Sequence, residues 1–200
     1  MGHVAAGILA QEMGKTLAVS PFLSTAVIAA TALRNVSDAR AEAALAKIAS
    51  GDATYALAVD ETSKFDPNAT AMVATSEGNG FRLTGKKTFV VDGALADRLL
   101  VLAKTDNGLT LFDIPADRAG ITRNAQNMID ARDSARIDFD NVEATGDDVL
   151  GQVDDAMTVL KPAIEAGQAA LAAEMAGVAA GAFGMTVGYL KERKQFGTLI

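Results

Sequence analysis

The sequence predicts an α+β protein in which helical segments precede and follow an antiparallel β-barrel or sandwich. Apolar residues recur at helical spacing up to about residue 50, short strand-like runs fill the middle of the chain, and an Ala- and Gly-rich helical pattern follows Asp154. These changes divide the chain into an N-terminal helical domain at 1–52, a middle β domain at 53–150 and the start of a C-terminal helical domain at 151–200.

We expect about three helices before residue 52. The apolar spacing from His3 predicts the first helix. Ser20 and Pro21 are typical of the start of a second, because Ser is a good N-cap and Pro is tolerated in a first turn. Ser37 is expected to cap the third helix, which Gly51 ends.

The middle of the chain reads as closely spaced strands without intervening helices, which indicates antiparallel pairing. No glycine-rich phosphate loop follows any of them, so we do not expect nicotinamide binding by the usual Rossmann fold. The predicted strands are "YALAVD", "AMVATS", "FRLTG", "KTFVVD", "RLLVLAK", "LTLFDI" and "ARIDFD".

The last 47 residues predict a long helix rich in small side chains, which let a neighbouring helix approach closely. The stretch Ala169–Ala182 is too apolar to face water, and no later helix of this chain could cover it. The sequence therefore predicts an oligomer.

Composition excludes several classes of function. The net charge of −7 opposes binding to nucleic acid or to anionic membranes. The absence of cysteine and the single His3 rule out thiolate chemistry, a Ser-His triad and the usual zinc sites, so we expect no metal site. The N-terminus lacks signal-peptide character, which favours a cytoplasmic protein without a membrane span.

Five segments, in order along the chain, resemble the acyl-CoA dehydrogenase family. They are "AQEMGKTLAVSPFLSTAVIAATAL", "YALAVDE", "LTGKKTFVVDGALADRLLVLAKT", "IDFDNV" and "YLKERKQFG". The resemblance implies the fold of that family, with 1–52 as the remainder of its N-terminal domain and with the chain incomplete at both ends.

The resemblance also implies an FAD-dependent oxidoreductase of fatty acid metabolism that oxidises the Cα–Cβ bond of an acyl-CoA thioester. In the family a carboxylate removes the α-proton while the β-hydrogen leaves as hydride to the flavin. It implies an oligomer, of identical or different subunits, with the flavin site at a subunit interface.

Two segments of the middle domain match the family's flavin-binding strands. Tyr55, Val59 and Asp60 belong to the first, Phe89 matches an aromatic residue beside the flavin ring, and Val91 replaces a residue whose hydroxyl often binds that ring. Asp60 stands where a Thr is usual, and "ETSKFDPN" replaces the Gly- and Ser-containing loop that meets the flavin phosphate.

The terminal motif implies a contact with a second subunit. In the family its Arg and its Gln-Phe-Gly reach the ADP part of a neighbour's flavin, which here assigns Arg193, Gln195 and Phe196 to cofactor binding. A purely structural interpretation is that Lys191, Arg193 and Lys194 favour the end of a helix through its dipole.

No catalytic residue is assigned. Some family members carry the catalytic Glu at the position that aligns with Gly167, and Glu165 and Glu174 are poorly placed to replace it on a helix. Three interpretations remain open: a dehydrogenase segment whose base lies elsewhere, a non-catalytic partner subunit of a hetero-oligomer, and a flavin-free structural protein of the same architecture.

Overall fold

The computed structural model describes residues 2–130 and 132–199. Its N-terminal part is helical, with a π-helical segment at Phe22–Ala29 that continues directly into α2. The α-helices are α1 (His3–Thr16), α2 (Ala30–Arg34), α3 (Ala39–Ser50) and α4 (Ala156–Glu192).

Neither Ser20 nor Ser37 acts as the N-cap that the sequence predicts. Asp38, and not Ser37, caps α3, because its carboxylate accepts a hydrogen bond from the amide of Ala41. The π-helical segment starts after Pro21 without any side-chain cap, so Ser20 does not cap it. Gly51 ends α3 as expected, in a left-handed conformation with φ of 81°.

The middle of the chain forms one seven-stranded sheet in the order β1-β4-β2-β3-β7-β6, with β5 paired to β4. Most pairs are antiparallel, as predicted, but β1 and β2 each pair parallel with β4. The strands are β1 (Tyr55–Ala58), β2 (Val73–Glu77), β3 (Gly80–Val91), β4 (Arg98–Lys104), β5 (Leu109–Pro115), β6 (Ile121–Ala125) and β7 (Ser134–Thr145).

The central strand β4 is buried on both faces. Leu99 and Val101 face the interior of the sheet domain, whereas Leu100 and Leu102 pack against the helices. A strand that is covered on both faces shows no polar alternation, which explains the unbroken apolar run in "RLLVLA". Strand β4 therefore contributes to two hydrophobic cores, one inside the sheet domain and one between the sheet and the helices.

Helix α4 packs along α1 with backbones in contact. A Cβ atom added at Gly14 would meet the carbonyl of Glu174, and one at Gly177 would meet the carbonyl of Gln11. Part of the apolar helix is therefore covered by an earlier element of this chain. Its outer face, which carries Met175 and Phe183, stays exposed.

Among the described residues, α4 is the one helix whose length and mean hydropathy of 1.4 would permit a membrane span. The core helix of a soluble protein passes the same test, although only 11% of the apolar window of α4 is buried. Its first half packs against the sheet through Leu160 and Ala163. The absence of a membrane span stays a prediction.

Candidate functional site

A largely apolar cavity of about 260 Å³ lies where the π-helical segment, the ends of β1 and β3, and α4 meet. Its walls are formed by Leu23, Ser24, Ile28, Leu57, Val59, Asp60, Phe65, Phe89, Val91, Ile164, Gly167, Gln168 and Leu171. Four of the eight residues that the sequence assigns to cofactor binding lie among them, namely Val59, Asp60, Phe89 and Val91.

The end of β1 is tied to β3 on one side of this cavity. The amide of Thr88 donates to the carbonyl oxygen of Asp60 at 2.7 Å. Lys87 Nζ donates to the carbonyl oxygen of Val59 at 3.1 Å and to Glu61 Oε1 at 2.7 Å. These three bonds hold the backbone of Val59 and Asp60 in place beside the cavity.

Lys87 and Glu61 form a buried ion pair behind this wall. Lys87 is fully buried, and burial lowers its pKa more than the Glu61 carboxylate raises it. Burial alone would raise the pKa of Glu61, but hydrogen bonds from Lys87 and from the amides of Met72 and Ala71 outweigh it and lower that pKa. The pair therefore ties β1, β3 and the segment before β2 together.

Phe89 reaches the cavity through an irregular strand. The pairing of β3 with β7 shifts register between Lys87 and Val90, and Phe89 adopts a left-handed backbone with φ of 51°. Its amide donates to Gln126 Oε1 at 3.1 Å. A bulge of this kind re-aims a side chain, and an aromatic residue with positive φ persists only where surrounding contacts enforce it.

Asp60 is the one ionisable residue among those that line the cavity. Within the described part of the chain, its buried Oδ1 atom has no hydrogen-bond partner. Burial raises the pKa of Asp60 more than the nearby Lys87 lowers it. Among the described residues that line the cavity, this Oδ1 is thus the one buried side-chain polar atom without a partner.

A second cavity of about 310 Å³ adjoins the first, since Asp60, Phe65 and Phe89 form part of both walls. Thr62 and Ser63 complete its lining. These two hydroxyl groups belong to the loop that departs from the family's usual sequence.

Gly167 lies on the α4 side of the cavity, opposite Ile28 of the π-helical segment. A Cβ atom at Gly167 would lie 2.7 Å from Cγ1 of Ile28 and 2.9 Å from its Cδ1. Ile28 therefore fills the space that a side chain at position 167 would enter. A carboxylate at this position would require Ile28 to move.

The remaining assigned residues lie away from the cavity. Tyr55 is buried in the core between sheet and helices, where its ring lies 6.0 Å from the guanidinium of Arg98 and its amide donates to Thr25 Oγ1 at 2.9 Å. Its side chain does not line the cavity. Burial raises the pKa of its hydroxyl strongly.

Arg193, Gln195 and Phe196 form a separate feature at the end of α4. Arg193 follows the last helical residue, and its guanidinium lies 5.2 Å from the ring centre of Tyr189. Strands β8 (Lys194–Gln195) and β9 (Thr198–Leu199) then form a short hairpin. Phe196 stands at its tip and is 97% exposed.

Several residues of the cavity wall were not singled out from the sequence. Leu23, Ile28, Phe65 and Ile164 look like ordinary apolar positions, and no local pattern distinguishes them. Gln126 is likewise an unremarkable polar residue until its contact with the backbone of Phe89 is seen.

No family model matches the chain. Curated relatives do: the chain is 30% identical over 170 residues to a 3-(aryl)acrylate reductase of Clostridium sporogenes, covering 80% of this chain and 45% of that protein. It is 34% identical over 114 residues to the acyl-CoA dehydrogenase FadE27 of Mycobacterium tuberculosis, covering 56% and 30%. The chain thus spans less than half the length of these relatives.

Solved structures agree with the fold. A variant of the Tcur3481-Tcur3483 steroid ACAD superposes with a TM-score of 0.86 at 31% identity, over 99% of this chain and 52% of that one. A glutaryl-CoA dehydrogenase of Mycobacterium smegmatis in complex with FADH2 superposes with a TM-score of 0.91, over 100% and 53%, and at 20% identity it shows the fold alone. By sequence and by fold together, the chain belongs to the acyl-CoA dehydrogenase family.

Proposed function

We propose that this chain forms the FAD-binding part of an oxidoreductase that introduces a double bond between Cα and Cβ of an acyl-CoA thioester. The observation that carries the proposal is the meeting of Val59, Asp60, Phe89 and Val91 in one apolar cavity. The name of one relative, an acyl-CoA dehydrogenase that is 34% identical over 114 residues, supports this reaction class.

The walls suit a flavin ring, which has two apolar faces and a polar edge. Phe89, Val91 and Leu57 supply apolar surface, while the unpartnered Oδ1 of Asp60 offers a polar contact at an edge. Val91 supplies no hydroxyl group. A bound flavin would accept the hydride, and the apolar walls would exclude water from it.

The phosphate part of the cofactor would lie toward the second cavity, where Thr62 and Ser63 present hydroxyl donors. Positive charge for the diphosphate would come from Arg193 of a neighbouring copy or partner, with Gln195 and Phe196 of the same hairpin beside the cofactor. This trans arrangement requires an oligomer, and the exposed apolar residues Met175 and Phe183 of α4 support one.

No described residue of the cavity serves as the catalytic base in this proposal. Gly167 has no side chain, and Ile28 fills the adjoining space. The α-proton would therefore be removed by a carboxylate from outside the residues described here.

The three-part division at 1–52, 53–150 and 151–200 is proposed on the same family pattern, as is a cytoplasmic location.

A second candidate is a partner subunit without its own chemistry, which lends Arg193 and Phe196 to the flavin of an active subunit. The filled position beside Gly167 and the exposed hairpin at Phe196 favour it. The name of the 31% identical structure, which pairs two proteins, also supports it. The third interpretation is a flavin-free protein.

The test is FAD binding by the purified protein, followed by absorbance after gel filtration. We expect Phe89→Ala to lower retention roughly five- to thirtyfold, since a stacked aromatic contact of ~1–2 kcal/mol is lost. Phe183→Ala is the matched control, because Phe183 lies on the exposed face of α4. Wild-type protein without FAD would support the flavin-free interpretation, and FAD retained only in complex with a second, different subunit would support the partner subunit.

A further inference from the structure

Asp60 is the one residue of the cavity that has all three of the following properties. It is ionisable, its Oδ1 atom is buried without a hydrogen-bond partner in the described residues, and it belongs to the walls of both cavities. Phe65 and Phe89 are the other residues common to both walls. Asp60 therefore lies where the two cavities adjoin, together with two aromatic residues.

The groups around Asp60 leave its carboxyl without a counter-ion in contact. Lys87 of β3 is the one cation that acts on it, but its Nζ is bound to the Val59 carbonyl oxygen and to the Glu61 carboxylate. On the opposite wall, Ser24 donates to Asp92, and α4 presents the neutral Gln168. The neighbouring loop contributes the neutral hydroxyl groups of Thr62 and Ser63.

Asp60 is half-buried, and ionisation is disfavoured at its buried Oδ1 atom, because a buried charged atom without a partner loses its hydration. The neutral acid avoids this cost, and its proton then needs an acceptor. Burial raises the pKa of Asp60, which agrees with the neutral form. A protonated carboxyl group carries an O–H and can donate a hydrogen bond, whereas an ionised Asp only accepts.

We propose that Asp60 receives its ligand as a neutral carboxylic acid and donates a hydrogen bond to an acceptor atom on the edge of a planar ring that packs against Phe89. The acceptor is a ring nitrogen or a ring carbonyl oxygen. This inference rests on the proposed flavin site and names the chemistry at one of its edges. No bond of the ligand is broken, and the proton stays with Asp60.

The donor form has a consequence for pH. When Asp60 loses its proton, the donor disappears and a negative charge faces the lone pair of the ring. Affinity for FAD should therefore fall as the pH rises, in the opposite sense to a site that uses a carboxylate as acceptor. Asp60→Asn keeps a donor that does not titrate, whereas Asp60→Leu keeps the approximate size and removes the donor.

The experiment measures FAD affinity by flavin fluorescence between about pH 5 and pH 8. The proteins are wild type, Asp60→Asn, Asp60→Leu and Asp66→Asn, with the last as an exposed acidic control from the same loop. We expect affinity of the wild type and of D66N to fall with rising pH, and that of D60N to stay flat. D60L should bind roughly three- to tenfold more weakly than wild type at the acidic end.

A second measurement is independent of flavin. At the acidic end of this range, the difference between the infrared spectra of free wild type and free D60N should contain the carbonyl band of a protonated carboxylic acid, and this subtraction removes any band of Asp92 and Asp113, whose pKa values burial also raises. Circular dichroism checks that each variant folds. The infrared band tests the protonation of Asp60 alone, whereas the binding curves also test the proposed FAD site.

FAD binding without the protonated-acid band overturns the inference and leaves the proposed function standing. Equal affinity of wild type and D60L at every pH does the same. Failure of all four proteins to bind FAD overturns the proposed function, and the hydrogen bond to the ring falls with it.

Discussion

Phe89 and Phe196 are both aromatic residues in the left-handed backbone region, with φ of 51° and 54°, but their surroundings differ completely. Phe196 and Gly197 form the turn of a two-residue hairpin, where positive φ is the normal geometry. Phe89 lies inside a twelve-residue strand, where positive φ is rare. A positive φ is thus the normal geometry of a turn at Phe196, whereas at Phe89 it depends on contacts with distant parts of the chain.

The two regions also differ in how they are held. The backbone around Phe89 is fixed by Thr88, by the Lys87–Glu61 pair and by Gln126. The terminal hairpin is joined to the protein through α4, and its side chains are exposed. We therefore expect the cavity wall to open only with global unfolding and the hairpin to open locally. The following predictions test this difference.

The largest expected effect is on the cavity wall. Glu61→Ala leaves Lys87 buried without its carboxylate and removes the acceptor of two amides, so we expect a loss of ~3–5 kcal/mol in the free energy of unfolding. Urea denaturation measures it. Glu77→Ala, which breaks an exposed pair with Arg82, is the control and should change little. Equal effects of the two substitutions would contradict the structural importance of the wall.

At the other region, Arg193→Ala should leave the free energy of unfolding nearly unchanged and lower FAD retention roughly ten- to a hundredfold, because a charge-assisted phosphate contact is lost. Arg193→Lys should restore retention only in part, since Lys lacks the planar fork. Lys191→Ala is the control. Equal FAD content in all four proteins would leave the hairpin with no part in cofactor binding.

Gly167→Ala tests the packing between α4 and the π-helical segment. The new methyl group would meet Ile28, so we expect a destabilisation of ~1–3 kcal/mol despite the better helix propensity of Ala. Gly184→Ala on the same helix meets open space and should stabilise by ~0.5–1 kcal/mol. Ile28→Ala introduced with Gly167→Ala should give a smaller loss than the sum of the two. Additive losses would argue against the contact.

The smallest effect concerns the missing hydroxyl group. Val91→Thr places a donor on the cavity wall at nearly constant volume, and one hydrogen bond to the flavin should raise FAD affinity by roughly two- to tenfold. Thermal denaturation shows whether the variant keeps its stability. Lower affinity in a folded variant would place Val91 away from the polar edge of the ring.

Local sequence patterns predicted most strands because their β-branched and apolar runs are bounded by turn residues. They did not predict β6, whose "ITRNA" is largely polar and becomes a strand only by pairing with β7 at the edge of the sheet. The capping residue of α3 was placed one position too early, since Ser37 and Asp38 are both good N-caps and only the backbone geometry distinguishes them.

The sequence by itself determined the order of the three parts, the segments that resemble the family, and the candidate residues on β1 and β3. Only the tertiary structure decided that β1 runs parallel to β4, that Gln126 holds Phe89, and that Ile28 covers Gly167. Periodicity and turn chemistry act over a few neighbouring residues, whereas each of these contacts joins residues far apart in the chain. Which distant residues meet depends on strand register and packing, and no local pattern encodes either.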